Sequence, residues 1–309
     1  EYLCNRRISE PMDYIDDRLA KIQEVVNSDD VLSDTDDPIE PRVLTLQMLD
    51  ELENLDEALK GGFHLGINYL VDAIGYIRDP LYIGLLAPKG FGKTTAACCI
   101  GLYVAHQKKN VLFISVEMRP IQFWRKVACA NKNIDQRVFT EMEYRNASLD
   151  KVMDSSREIQ LLNYRHKEVH GGNLNKMEQI IRREHRKKPL DLVIVDYLQK
   201  FRIQGSNRQE REQLSEVSAR LQTLKGELGV TVLACLQINR EGIKEKITGA
   251  SILEHISGTS GIEQDLDVAI HFSQLNKTED HKMEVVKCRH GSTEDAAAVN
   301  YNKETGRIE

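Results

Sequence analysis

The feature that most constrains this chain is a seven-residue apolar run, Leu81 to Ala87, that breaks into a glycine-bearing turn and then a helix-forming stretch. The junction reads Ala87-Pro88-Lys89-Gly90-Phe91-Gly92-Lys93-Thr94. It fits the phosphate-loop pattern G-x-x-x-x-G-K-[ST], except that Ala87 stands where the first glycine would be. A strand feeding a tight turn at a helix start aims several backbone N–H groups, and the positive helix end, at one point. That point is an anion site, so Ala87 through Thr95 are expected to wrap a nucleotide's phosphates. Lys93 is placed to reach the β- and γ-phosphates, and the Thr94 hydroxyl to join a Mg²⁺ shell.

The rest of the chain supplies a frame for such a loop. VLFISVE, LDLVIVDYL and VTVLACLQ are further short apolar runs of the kind a parallel sheet buries on both faces. Helical stretches near 93–107, 119–131, 173–187 and 208–228 alternate with them. The tail strands VAIHFSQ, KMEVVKCR and AAAVNYN predict an antiparallel end to the sheet. The fold class is therefore α/β, doubly wound. Asp196 ends the run LVIVD at a strand's carboxyl end, where ligands of such sheets bind, and is the candidate to hold Mg²⁺ through water. Glu117 ends VLFISVE; if that strand lies beside the phosphate-loop strand, its carboxylate can orient and deprotonate an attacking water. Gln237 ends a further strand, where an amide can sense the γ-phosphate.

The segment before residue 63 differs in character. Helices are expected over about 9–26 and 45–60, joined by the acidic, proline-punctuated NSDDVLSDTDDPIEP. Their apolar stripes suit packing on their own domain and docking on a neighbouring subunit equally well. We divide the chain into a helical, acidic linker segment, 1–62, and a main domain, 63–309. The chain opens on Glu1, which leaves an upstream domain open. Residues 1–66 carry a charge balance of −11 and the remainder +5, giving −6 overall. That total argues against a protein coating nucleic acid by bulk charge, but not against a local basic channel. No apolar run approaches the roughly 20 residues of a membrane helix. Six scattered cysteines, without C-x-x-C pairs, suit neither a zinc site nor a disulfide framework.

In this order, the pieces resemble the motor domain of DnaB-type replicative helicases, over residues 66–309. APKGFGKTT is similar to that family's phosphate loop and SVEMRPIQFWRKVA to its catalytic-glutamate segment. VIVDYLQ resembles its Walker B strand, LQINR its sensor segment, and GIEQDLDVAI is close to the family's own wording. Lys287-Cys288-Arg289-His290-Gly291 looks like its K-x-R-x-G element, whose lysine and arginine reach into the ATP site of the adjacent subunit. The resemblance implies a RecA-like P-loop core that binds ATP and Mg²⁺, with Lys93, Glu117, Gln237, Lys287 and Arg289 in catalysis. It further implies a homo-oligomeric, hexameric ring acting on single-stranded and forked DNA, a primase or helicase loader as partner, and a bacterial or phage-infected cytoplasm.

One departure bears on DNA. The family's L-R-E-S-G-like loop, which touches the DNA backbone, is here Ile256-Ser257-Gly258-Thr259-Ser260, without the arginine. Backbone N–H groups from Gly258 to Ser260 can still hold phosphates. Positive charge is expected instead from Lys200, Arg202 and Arg208, or from Arg240, Lys244 and Lys246. Two other classes stay open: a recombinase-like filament protein, and a nucleotide-gated loader or regulator.

Overall fold

The computed structural model describes residues 61–205, 209–238, 252, 260–274, 281–289 and 296–309. The expected helices before residue 61 lie outside these, as do Arg208, Arg240, Lys244, Lys246 and Gly258.

A short helix, α1 (Asn68–Ile74), precedes β1 (Tyr82–Pro88), the phosphate-loop strand. Then follow α2 (Lys93–His106), β2 (Val111–Ser115), α3 (Pro120–Lys132), α4 (Met142–Leu161), β3 (Tyr164–Glu168), α5 (Leu174–Lys187) and β4 (Leu192–Asp196). The chain continues through α6 (Glu210–Leu228), β5 (Thr231–Ile238), α7 (Ser260–Asp265), β6 (Val268–Gln274), β7 (His281–Cys288) and β8 (Ala297–Val299). It closes on a small hairpin, β9 (Tyr301–Asn302) with β10 (Arg307–Ile308).

The main sheet has the order β3-β2-β4-β5-β1-β6-β7-β8. The strands from β3 to β6 run parallel, and β7 and β8 are antiparallel additions. Successive side chains point to opposite faces, and both faces are covered. Ile83, Leu85, Phe113, Ile194 and Cys235 belong to one apolar cluster, with α2 and α3. Tyr82, Leu86, Leu112, Val193 and Leu236 belong to the other, with α5 and α6. This is why the strands read as continuous apolar runs rather than alternating ones.

Two expectations need correcting. β2 does not lie beside β1: β4 and β5 separate them, and β5 and β6 flank the phosphate-loop strand. VAIHFSQ, expected to be antiparallel, joins β1 in parallel, so the antiparallel part begins one strand later. Two elements were not anticipated. β3 is a polar edge strand, YRHKE, paired on one side only, so it needs no apolar run. α4 buries only Ser155 and Ile159 of its twenty residues, so its pattern is faint. The described cysteines are all free, four of them buried.

Asp267 ties the end of the sheet opposite the phosphate loop. Its carboxylate is 5% exposed, accepts the Tyr82 N–H at 2.8 Å and pairs with Lys225 at 2.9 Å. Burial alone would raise its pKa, but Lys225, the Tyr82 N–H and Arg289 together hold it below the usual carboxylate value. A depressed folded pKa contributes stability above the unfolded value of about 3.9. That contribution is lost as pH falls through the lower folded value. Asp267→Ala is expected to cost on the order of 3 kcal/mol, because Lys225 is left beside an empty site. Urea denaturation at pH 7 and pH 3 checks this, since the gap between variant and parent should shrink at the lower pH.

Candidate functional site

The site forms at the carboxyl ends of β1, β4 and β5. Past Pro88 the chain turns through Gly90 (φ +85°) and Gly92 (φ +88°), a left-handed backbone that glycine adopts without strain. A Cβ on Gly92 would also lie 2.9 Å from the Tyr301 ring, because the closing hairpin packs against this turn. α2 starts at Lys93 with no side-chain cap, leaving its first N–H groups directed at the loop.

Lys93 is buried. Burial pushes its pKa below the ordinary lysine value, with Asp196 and Glu117 acting in the opposite sense. Its ammonium lies 4.3 Å from the centre of the Tyr197 ring. Asp196, at the tip of β4, accepts a hydrogen bond from the Thr94 hydroxyl at 2.8 Å. Burial raises the Asp196 pKa, with Lys93 and Thr94 opposing. Its other oxygen, Oδ1, is buried and receives no N–H or O–H hydrogen bond. A buried, under-satisfied carboxylate oxygen beside a hydroxyl is a hard-oxygen donor set that suits Mg²⁺ better than it suits an empty core.

Thr94, Asp196 and Glu117 line one cavity of about 530 Å³, with Arg125 and Lys126 from α3 on its wall. Glu117 reaches this cavity although β2 is not next to β1, because parallel strands end on the same edge of a sheet. It sits two residues beyond β2, and the Val116 N–H donates to the Asp196 carbonyl at 3.3 Å. Gln237 lies directly across from Ala87 in the β1–β5 register. The Gln199 side chain brackets the Gln237 backbone, donating to its carbonyl at 2.9 Å and accepting from its N–H at 3.2 Å.

Lys287 and Arg289 lie elsewhere. The register Val268↔Cys288 puts them where β6 begins, at the opposite end of the sheet from the phosphate loop. The span from Tyr82 to Pro88 along β1 alone is about 20 Å. Arg289 pairs with Asp267 at 3.1 Å and donates to the Gln264 carbonyl; Lys287 donates to the Glu263 carbonyl. Neither reaches its own chain's phosphate loop.

Against known proteins, the sequence model of the DnaB-like helicase C terminal domain matches residues 63–309. The chain belongs to that family. A probable plasmid replicative DNA helicase of Chlamydia muridarum is 25% identical over 228 residues, 72% of this chain and 49% of that protein. The replicative DNA helicase DnaB of Geobacillus stearothermophilus is 25% identical over 241 residues, 74% and 53% of the two chains. The chain thus spans about half the length of these curated relatives. Among solved structures, one described as an ATPase domain superposes with a TM-score of 0.77 at 20% identity, covering 88% of this chain and 99% of that one. A DnaB-like replicative helicase, described with its interactions with primase, gives 0.74 at 19% identity, covering 96% and 76%. At such identities the likeness speaks to the fold, which is that of a RecA-like helicase ATPase domain.

In this DnaB-like domain, reasoning from sequence passed over Tyr197 and Gln199. Together with Lys200 they make the short turn after Asp196 a hub. Tyr197 touches Lys93, Lys200 pairs with Glu117 at 3.0 Å, and Gln199 holds Gln237. A partial cue was available, since three of the four residues after Asp196, namely Tyr197, Gln199 and Lys200, are polar-tipped. Arg202 is engaged locally, donating to the Gln199 and Phe201 carbonyls and pairing with Glu210.

Proposed function

We propose that this chain is the ATP-hydrolysing motor domain of a replicative DNA helicase, assembled as a hexameric ring around single-stranded DNA. The observation that carries the reading is the division of the machinery. Lys93, Thr94, Asp196, Glu117 and Gln237 gather at one edge of the sheet, while Lys287 and Arg289 stand at the other. In a head-to-tail ring, one subunit's second edge meets the next subunit's first, so each ATP site becomes complete only between copies.

In that site Lys93 and the Gly90–Thr94 N–H groups hold the phosphates. Glu117 takes a proton from water, whose oxygen attacks the γ-phosphorus as the bond to the bridging oxygen of ADP breaks. Arg289 of the neighbour meets the charge that develops on the transferring group. Thr94 and Asp196 are the residues that would hold Mg²⁺, which would supply charge neutralisation for the transferring phosphate. Gln237, opposite Ala87, lies where its amide can register the γ-phosphate. DNA is taken up by Lys200, Arg202, Arg208, Arg240, Lys244 and Lys246, and by backbone N–H groups from Gly258 to Ser260. The neighbour described with its interactions with primase supports a primase as a protein partner; a helicase loader rests on the family resemblance alone.

Lys93→Ala should weaken ATP binding by about 100-fold, the scale of losing one buried charge-assisted contact. Titration with a fluorescent ATP analogue checks it. The reading as a whole is tested by steady-state hydrolysis with and without single-stranded DNA, at protein concentrations spanning assembly. Stimulation by DNA that rises cooperatively with protein supports the ring motor. Hydrolysis indifferent to DNA would contradict it and favour a nucleotide-gated regulator, and open filaments on DNA in electron micrographs would favour a recombinase-like protein.

A further inference from the structure

Glu117 does not stand free over the phosphate loop. Its Oε1 pairs with the Lys200 ammonium at 3.0 Å and accepts from the Tyr197 hydroxyl at 3.5 Å. A carboxylate oxygen held by an ammonium is turned away from a water it would otherwise orient. The side chains of the pair are 43% and 60% exposed for Lys200 and Glu117. Such a pair is weak, screened by salt and open to competition from a stronger anion.

The backbone beneath it is fixed. Leu198 and Phe201, on either side of the pairing turn, are fully buried. Gly172 packs so closely against the Lys200 carbonyl that a Cβ there would lie 2.0 Å from the oxygen. The Arg202 N–H donates to the Gly172 carbonyl at 2.7 Å. The half-exposed Lys200 side chain can swing from Glu117 toward solvent without shifting this backbone.

We propose that Lys200 is a brake on Glu117, engaged in the DNA-free protein and released when a nucleic-acid phosphodiester draws the ammonium away. This rests on the function proposed above and adds to it how DNA is sensed at the ATP site. Lys200 is a positioning residue here: it acts on hydrolysis through Glu117 and not by touching ATP. One flexible side chain thereby serves both ligands, and the coupling follows from its having a single charge to share. Glu117, with Tyr197, holds the Lys200 pKa above the ordinary lysine value, so the ammonium stays charged for either partner.

The test is steady-state ATP hydrolysis by the full 309-residue chain carrying Lys200→Met or Lys200→Arg, with and without an oligo-dT strand. Released from the brake, Lys200→Met should show a DNA-free kcat about two- to five-fold above the parent, the scale an exposed ion pair can gate, with KM for ATP unchanged. Its fold-stimulation by oligo-dT should fall by a similar factor. Lys200→Arg, which keeps the charge, should bring the DNA-free rate back down. A DNA-free rate in Lys200→Met equal to or below the parent's would overturn the brake. A raised rate with undiminished stimulation would overturn its release by DNA. A parent that DNA does not stimulate would instead sink the motor reading, and the DNA-free comparison still decides whether Lys200 restrains Glu117.

Discussion

Arg289→Ala will reduce steady-state ATP hydrolysis by about 10³- to 10⁵-fold, the range for removing an arginine that stabilises phosphoryl transfer from a neighbouring subunit. The expectation follows from where the guanidinium is and is not. It lies beside Asp267 and the Gln264 carbonyl, across the whole sheet from the phosphate loop of its own chain. Its side chain is 43% exposed, so it can leave Asp267 for a neighbour's nucleotide at modest cost. Asp267 keeps Lys225 and the Tyr82 N–H as partners after that departure. The variant should therefore stay folded and bind ATP with nearly the parent's affinity while failing to hydrolyse it. Calorimetric binding of a non-hydrolysable ATP analogue, set beside turnover, separates the two effects. A matching loss of affinity would mean that Arg289 holds the ground state and not the developing charge.

Glu117→Gln will lower turnover by about 10²- to 10⁴-fold, the usual contribution of a positioned general base. Glutamine keeps the size and still accepts from Tyr197, but it takes no proton from water. Nucleotide affinity should hold or improve slightly, because removing a carboxylate from a cavity lined by Thr94 and Asp196 eases repulsion with the phosphates. Single-turnover mixing, in which ATP binds but no burst of phosphate appears, is the check. Normal turnover in this variant would remove Glu117 from the role and leave the water to another group.

The sequence made the parallel strands legible because each is buried on both faces and so reads as an unbroken apolar run. Leu81–Ala87, Val111–Ser115 and Leu192–Asp196 needed no tertiary information. Strand order was a different matter. Nothing in VLFISVE says which neighbour it pairs with, since register is decided by contacts distant in sequence. The adjacency first expected for Glu117 was therefore wrong, although its place at the cavity edge depends only on parallel strands ending together. β3 and α4 escaped notice because they lie at the sheet's edge and on its surface, where polar side chains are tolerated. The proximity of Lys93, Thr94 and Asp196 was legible because the phosphate-loop pattern and a strand ending in Asp fix where such residues fall along strand and loop. The contacts that Tyr197, Gln199 and Lys200 make were hidden, because they form only once folding brings three separate strand ends around one turn. The opposite placement of Arg289 was equally hidden, since it depends on β7 running antiparallel to β6.

The central claim is that each ATP site is shared between two copies, and mixing two inactive variants tests it most directly. Arg289→Ala subunits keep Glu117, and Glu117→Gln subunits keep Arg289. In randomly mixed rings at equal amounts, about a quarter of the junctions join an intact Glu117 edge to an intact Arg289 edge. Hydrolysis, negligible in either variant alone, is expected to return on mixing to a substantial fraction of that share. A mixture that stays as inactive as its components, though it assembles into the same rings, would contradict a site built between subunits.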